Sequence, residues 1–278
     1  MIHLFALLSL LLCGVCYTGF QNSSHFHNTS NRRSLLLLVF GGALLLRLLL
    51  AYTTHGFSND IACFAAWADR IFTLGPGQFY SAEMFTDYPP GFMYVLYLIG
   101  ALRSLLQIPY YSDLHILLLK LPAILCDIAC GFLLYREAVK RLHFSDLQGI
   151  FAASAYLFQP AVILNSSCWG QVDSVYTLMI ILMCLFLMKG NLLPAYAVYG
   201  LGVLLKPQML IFTPVLLAGI WDHVFLQDFS WRKFFYNLCG GLVVICGMLL
   251  LCAPFGLTAA ISQYTSTLGS YEYAAINA

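Results

Sequence analysis

Charge is what this sequence has least of. Only 9% of its 278 residues are Asp, Glu, Lys or Arg, and 13 basic side chains against 12 acidic ones leave a net charge of +1. So few polar groups cannot cover a water-soluble globule, and a mean hydropathy of +0.82 places the chain among polytopic membrane proteins. No basic patch is interleaved with aromatics, which excludes nucleic acid as a partner. The apolar stretches lack the two-residue alternation of a barrel, so their backbone groups must be satisfied within helices in the lipid bilayer. The fold class that follows is all-α. No internal repeat is visible, which weighs against an inverted-repeat transporter. Ten cysteines are present, but Cys13, Cys16, Cys126, Cys130, Cys184, Cys239, Cys246 and Cys252 all lie in apolar runs and read as small hydrophobes rather than a disulfide framework. Cys13 and Cys16 have CxxC spacing without a second pair, and His25 and His27 flank Phe26 in a polar loop, so neither makes a persuasive metal site.

Hydropathy places candidate spans near 3–20, 35–52, 91–107, 114–135, 149–164, 174–188, 192–206, 208–221 and 234–254, about seven to nine transmembrane helices in all. Residues 1–34 form an N-terminal apolar segment and basic loop, and 35–278 a single membrane module. Arg32 and Arg33, then Arg136, Lys140 and Arg141, then Lys189, then Arg232 and Lys233 mark cytoplasmic loops by the positive-inside rule. The segment from Thr53 to Pro90 holds Asp60, Asp69, Glu83 and Asp87 against Arg70 and belongs outside or in a lumen. Parity of crossings then requires that one stretch between Pro90 and Arg136 does not cross. Residues 91–107, short and entered through a double proline, are expected to lie in the interface or re-enter. The first stretch reads as an extra helix with its N-terminus outside, which leaves the sequons at Asn22 and Asn28 in the cytoplasm and unmodified.

Three polar clusters interrupt lipid-like sequence on the outer face, and polar groups at that depth mark cavities. Ser58 or Asn59 can cap a helix running to about Phe72, with Ile61, Phe64, Ala65, Ala68, Ile71 and Phe72 on one face, as in an amphipathic helix lying on the membrane. Asp60 falls in its first turn, where the helix dipole favours an ionised carboxylate; it either satisfies the helix end or accepts a proton from a hydroxyl. Asp87-Tyr88-Pro89-Pro90 is a stiff extended turn that fixes Asp87 and Tyr88. Asn165 to Ser174 gathers Trp169, Gln171 and Asp173 around Gly170, an aromatic plane among amides, hydroxyls and a carboxylate, which is what a sugar ring needs. Lys206, followed by Pro207 and Gln208, either snorkels to the interface or meets a phosphate. Lys120 and Asp127 share a helix face about 10 Å apart, too far for direct contact, so each needs a partner on another helix. Arg47, a turn inside the outer end of its span, can reach a headgroup phosphate or the interface.

Taken in order, these elements resemble the GT-C superfamily of integral-membrane glycosyltransferases, and within it the bacterial group similar to GPI mannosyltransferases. The residues that carry the resemblance are Asp60 with Trp67 seven residues on, Gly75 to Tyr80, the DYPP of Asp87 to Pro90, Lys120 with Pro122 and Asp127, the NSSCWGQVDS of Asn165 to Ser174, and KPQ at Lys206 to Gln208; they cover roughly residues 35–278. The resemblance implies inverting transfer of a hexose, mannose above others, from a polyprenyl-phosphate-linked donor to a glycan, lipid or protein acceptor, with Asp60 as catalytic base. It implies substrate binding by Asp87, Tyr88, Trp67, Trp169, Gln171, Asp173, Lys206, Gln208 and Arg47, with Lys206 and then Arg47 facing the leaving phosphate. No cofactor is required, although a divalent metal is compatible, and the absence of a glycine-rich nucleotide loop or paired DxD agrees with a lipid-linked donor. Members of that group are generally longer, so the chain reads as C-terminally truncated at Tyr271 to Ala278. The membrane implied is the bacterial plasma membrane, with the endoplasmic reticulum as alternative. The competing functions are a transporter of lipid or solute using Lys120, Asp127 and Lys206 along its path, and a non-catalytic member of the family.

Overall fold

The computed structural model describes residues 14, 17–18, 32–80, 85–227 and 229–262. Most of the first apolar stretch, Cys13 and Cys16, the sequons at Asn22 and Asn28, His25 and His27, Glu83 and the C-terminal Tyr271 to Ala278 lie outside the described residues. The protein is an all-α membrane protein, with no strand among the described residues. Its helices are α1 Arg32–Thr53, α2 Ser58–Leu74, α3 Pro90–Leu105, α4 Asp113–Lys140, α5 Asp146–Leu157, α6 Pro160–Ile163, α7 Asp173–Met188, α8 Leu192–Leu205, α9 Thr213–Trp221 and α10 Trp231–Cys252. Two π-helical stretches, Leu164–Trp169 and Asp222–Leu226, extend α6 and α9.

Local chemistry sets these boundaries. Ser112 accepts the His115 N–H at the start of α4, and Ser145 and Gln148 form a reciprocal capping box on α5. Pro90 and Pro160 occupy first-turn positions, where a missing N–H costs nothing. Arg32–Thr53, Asp113–Lys140, Pro207–Leu226 and Trp231–Phe255 are each long and apolar enough to cross a bilayer. The expected span at 149–164 is instead a pair, Asp146–Leu157 and Pro160–Trp169, bent by 51° where Pro160 interrupts the ladder. Pro90–Leu105, Asp173–Met188 and Leu192–Leu205 are shorter, and the expected seven to nine crossings are reached only if they cross too. The 16 residues of α3 reach about 24 Å, short of the roughly 30 Å hydrocarbon core.

The chain forms two compact units, one of Met1–Ala62 with Pro109–Leu178, the other of Cys63–Ile108 with Met179–Ala278. In the first, α1, α4 and α5 pack around Ala43, Tyr135, Ile150, Ala153 and Leu157. The Gly131 position of α4 is closed against Leu157, where a Cβ would come within 2.6 Å of the leucine side chain. At one end Arg32 Nε meets Asp146 Oδ1 at 3.2 Å and the Tyr135 hydroxyl at 3.1 Å. Arg136, Lys140 and Arg141 follow Tyr135 within two turns, so the basic residues that the sequence places in loops beside Arg32 and Arg136 share this end of the unit. At the other end the loop after α1 meets the start of α4, His55 Nδ1 standing 3.6 Å from Asp113.

In the second unit α8 packs on α10 and α3, and Met183, Leu192, Ala195, Tyr196, Met209, Leu216 and Val224 form the core. The part of α2 in this unit departs from the surface helix expected from its periodicity. Phe64, Ala65, Ala68 and Ile71 are almost wholly buried, and Gly100 of α3 approaches so closely that a Cβ there would lie 2.5 Å from the Ala68 carbonyl. The apolar face is covered by protein rather than lipid. A repeat of 3.6 residues specifies one apolar face but not what covers it.

Candidate functional site

The candidate cluster of the first unit begins with a buried ion pair. Arg47 of α1 and Asp127 of α4 have side chains with no solvent exposure, and Arg47 Nε donates to Asp127 Oδ2 at 3.2 Å. The guanidinium also donates to the Leu157 carbonyl at 2.7 Å and the Ala43 carbonyl at 3.3 Å. Asp127 further accepts from Ser166 at 2.6 Å, Ser174 at 2.5 Å and Tyr156 at 3.3 Å. A buried carboxylate is tolerated only when cation and hydroxyl donors replace its lost water, and here both kinds are present. The sequence expectation for Arg47, a headgroup or leaving phosphate, is therefore corrected: its fork is committed to Asp127 and two carbonyls.

About two turns along α4 from Asp127, Lys120 is likewise buried. Its ammonium donates to the carbonyls of Thr54 at 2.7 Å, Ser167 at 2.9 Å and Ala51 at 3.2 Å, and lies 3.1 Å from the Thr54 hydroxyl. These carbonyls belong to the last turn of α1 and the π-helical end of α6, whose orphan oxygens and dipoles favour a cation. Lys120 and Asp127 thus find partners on other helices, as their spacing requires. Both are enclosed by protein.

This clasp holds up the outward part of the NSSCWGQVDS stretch. The widened π turn ends at Gly170 in the left-handed region (φ 88°), with the Gly170 and Gln171 amides both donating to the Asn165 carbonyl at 3.0 Å. The positive φ favours glycine at this position, and a Cβ there would also press on the Ile61 side chain at 2.5 Å. Opposite, Gly56 (φ 79°) lets the Phe57 N–H reach the Trp169 carbonyl at 2.8 Å. These two glycines bring the first turn of α2 against the tryptophan. Asp60 Oδ2 then accepts from the Trp169 indole N–H at 3.0 Å and from the Gln171 amide at 2.5 Å. Trp169 stays 43% exposed, with its ring 5.1 Å from that of Phe57. Asp173, at the start of α7, accepts from the Asn165 amide at 2.9 Å. The result is an exposed indole face with a carboxylate and an amide along its edge.

The remaining sequence-expected residues belong to the second unit. Trp67 is 2% exposed and donates its indole N–H to the Phe85 carbonyl at 2.9 Å, so it braces the loop before DYPP instead of touching a substrate. Tyr88 sits in an aromatic cluster with Phe64, Trp67 and Phe92, and its carbonyl accepts from the Tyr80 hydroxyl at 3.1 Å. Burial pushes the Tyr80 hydroxyl well above its ordinary range, so it stays a donor. Lys206 is nearly buried, with its ammonium 5.7 Å from the Tyr88 ring centroid, a cation–π arrangement. Gln208 is exposed on the 3-10 turn Pro207–Phe212, and Asp87 is half-buried. Asp69, another acid of the expected outer loop, is ion-paired with Arg103. Among the described residues no three His, Cys, Asp or Glu side chains gather as a metal site would require, and every described cysteine is a free thiol.

No curated protein matches the chain. A family model described as GPI transamidase subunit PIG-U matches residues 33–273. That match overturns the expected sugar transfer: the family is a subunit of a protein-attaching complex, not a polyprenyl-phosphate mannosyltransferase. The glycosyltransferase activity, the polyprenyl-phosphate donor and the role of Asp60 as a transferase base are corrected with it. What the motifs share with GT-C membrane proteins is relatedness rather than activity. With nearly all of the chain after α1 begins included in the match, this protein belongs to the GPI transamidase subunit PIG-U family.

Proposed function

We propose that the chain is a non-catalytic membrane subunit of a GPI transamidase complex, and that Asp60, Trp169 and Gln171 hold the sugar portion of the GPI while another subunit performs the chemistry. Family membership supports the first half. The observation that carries the second is the exposed Trp169 ring, fixed in orientation by its 3.0 Å bond to Asp60 and by the neighbouring Phe57. A fixed aromatic face accepts the C–H face of a sugar without a further ordering cost, and the acceptor and donor groups beside it suit the hydroxyl rim. The endoplasmic reticulum, weighed from the sequence as the alternative membrane, is the location proposed in place of a bacterial plasma membrane, because the family works there.

The test uses cells deleted for the chain and complemented with a tagged full-length copy. Attachment of GPI to a reporter protein is measured together with co-purification of the other subunits. The deletion is expected to abolish attachment. Trp169→Ala is expected to lower it about tenfold, the scale of one lost aromatic contact, with co-purification unchanged. Undiminished attachment in the deletion refutes the subunit assignment; full attachment by Trp169→Ala at limiting GPI refutes the sugar platform.

A further inference from the structure

A second polar feature lies in the other unit and shares no residue with the Asp60 cluster. The turn between α7 and α8, the π stretch after α9 and the start of α10 enclose a cleft of about 770 Å³. Its polar lining includes Asn191, His223, Arg232, Lys233, Tyr236 and Asn237, above an apolar floor made by Leu192, Leu193 and Pro194 in the first turn of α8. No carboxylate is among the described lining residues. Local bonds hold the lining in place: Lys233 Nζ donates to the Gln227 carbonyl at 3.0 Å, and the Asn237 amide donates to the Lys233 carbonyl at 2.8 Å.

The depth of this cleft is marked independently by aromatics. Trp221, Phe225, Phe229, Trp231 and Phe235 form a continuous exposed ladder, with successive ring centroids 4.6, 5.8, 5.2 and 6.0 Å apart. Exposed aromatic rings of this kind sit at the headgroup level of a bilayer. Lys189, Arg232 and Lys233 assign this end to the cytoplasm, the side where anionic lipids concentrate. A basic cleft with an apolar floor, opening among interfacial aromatics, matches a molecule that carries a phosphate on one end and acyl chains on the other. A soluble anion needs no apolar floor, and an acidic peptide needs no aromatic belt.

We propose that this cleft binds the phosphate headgroup of an anionic phospholipid in the cytoplasmic leaflet, with Arg232 and Lys233 as its cationic contacts. The probe is phosphatidic acid, added to the purified full-length chain in detergent micelles and read by native mass spectrometry or fluorescent-lipid titration against phosphatidylcholine. Phosphatidic acid is expected to bind at least about tenfold tighter than phosphatidylcholine. Arg232→Gln combined with Lys233→Gln is expected to weaken it about thirtyfold, each basic side chain near an anionic headgroup being worth roughly fivefold. Asn237→Asp, which puts an acid into the cleft without removing a cation, is expected to weaken it as well, while Arg232→Lys retains binding. The assignment is overturned if the double variant binds like the parent, or if Arg136→Gln with Arg141→Gln lowers affinity equally. It is also overturned if millimolar inorganic phosphate competes as well as a short-chain phosphatidic acid, which makes the site one for a free anion. Stronger competition by a pentaglutamate peptide makes it a peptide site and has the same consequence.

Discussion

The buried Arg47–Asp127 pair offers the sharpest test of how this fold is held. Removing one partner of a buried pair leaves an uncompensated charge, which costs about 3–5 kcal/mol. The two halves are not equivalent here. Asp127 keeps Ser166, Ser174 and Tyr156 as donors when Arg47 is lost, so Arg47→Met is expected to cost about 3 kcal/mol, the lower end of that range. Arg47 keeps only the Ala43 and Leu157 carbonyls when Asp127 is lost, and the Ser174 and Tyr156 hydroxyls lose Asp127 as acceptor while Ser166 falls back on the Val162 carbonyl at 3.1 Å. Asp127→Leu is therefore expected to cost about 5 kcal/mol, the upper end of that range, since the loss of an acceptor by Ser174 and Tyr156 adds to the penalty of the stranded cation. The double variant removes both charges and should fall short of the sum of the singles by about 2–3 kcal/mol. The measurement is reversible unfolding of the purified full-length chain in mixed micelles, with a double-mutant cycle. Single costs under about 1 kcal/mol, or additivity within about 0.5 kcal/mol, would refute the claim that the pair is desolvated and mutually compensating.

Three further outcomes follow from the same geometry. Lys120→Met should lower the melting temperature of the purified chain by several degrees, because the carbonyls of Ala51, Thr54 and Ser167 lose a charged donor worth about 2–3 kcal/mol; an unchanged transition would show that water replaces it. Gly170→Ala should cost about 1–2 kcal/mol for the left-handed backbone alone, plus the clash with Ile61, and should shift Trp169 fluorescence; a variant that keeps both the parent's stability and its emission would contradict the turn geometry. Asp60→Asn retains an oxygen able to accept from both Trp169 and Gln171, so reporter attachment should fall no more than about fivefold, the difference between a charged and a neutral acceptor. Loss of a general base costs about 10²–10⁴, and a drop of that size would reinstate catalysis at Asp60.

Within this protein the sequence alone was sufficient for anything set by composition and by local rules. The scarcity of charge required a helical membrane protein, and the capping types at Ser58 and Asn59 marked a helix start that the structure keeps. The basic residues around Arg32 and Arg136 pointed to a single end of the first unit, and the NSSCWGQVDS stretch declared itself by being polar where lipid-like sequence was expected. Resemblance was a weaker guide, because DYPP, NSSCWGQVDS and KPQ mark relatedness to GT-C membrane proteins without specifying that the relative transfers sugar. Tertiary structure alone decided which polar side chains turn inward. Nothing in the chain's periodicity pairs Arg47 with Asp127 across 80 residues, or divides one turn between Ser166 and Ser174 facing that carboxylate and Trp169 and Gln171 facing Asp60. Nor does the apolar stripe of α2 reveal whether lipid or Gly100 covers it. The physical reason is that a helix's own spacing fixes the face on which a residue lies, whereas its partner is chosen by packing between segments distant in sequence, where a buried charge must find its counter-charge or not be buried at all.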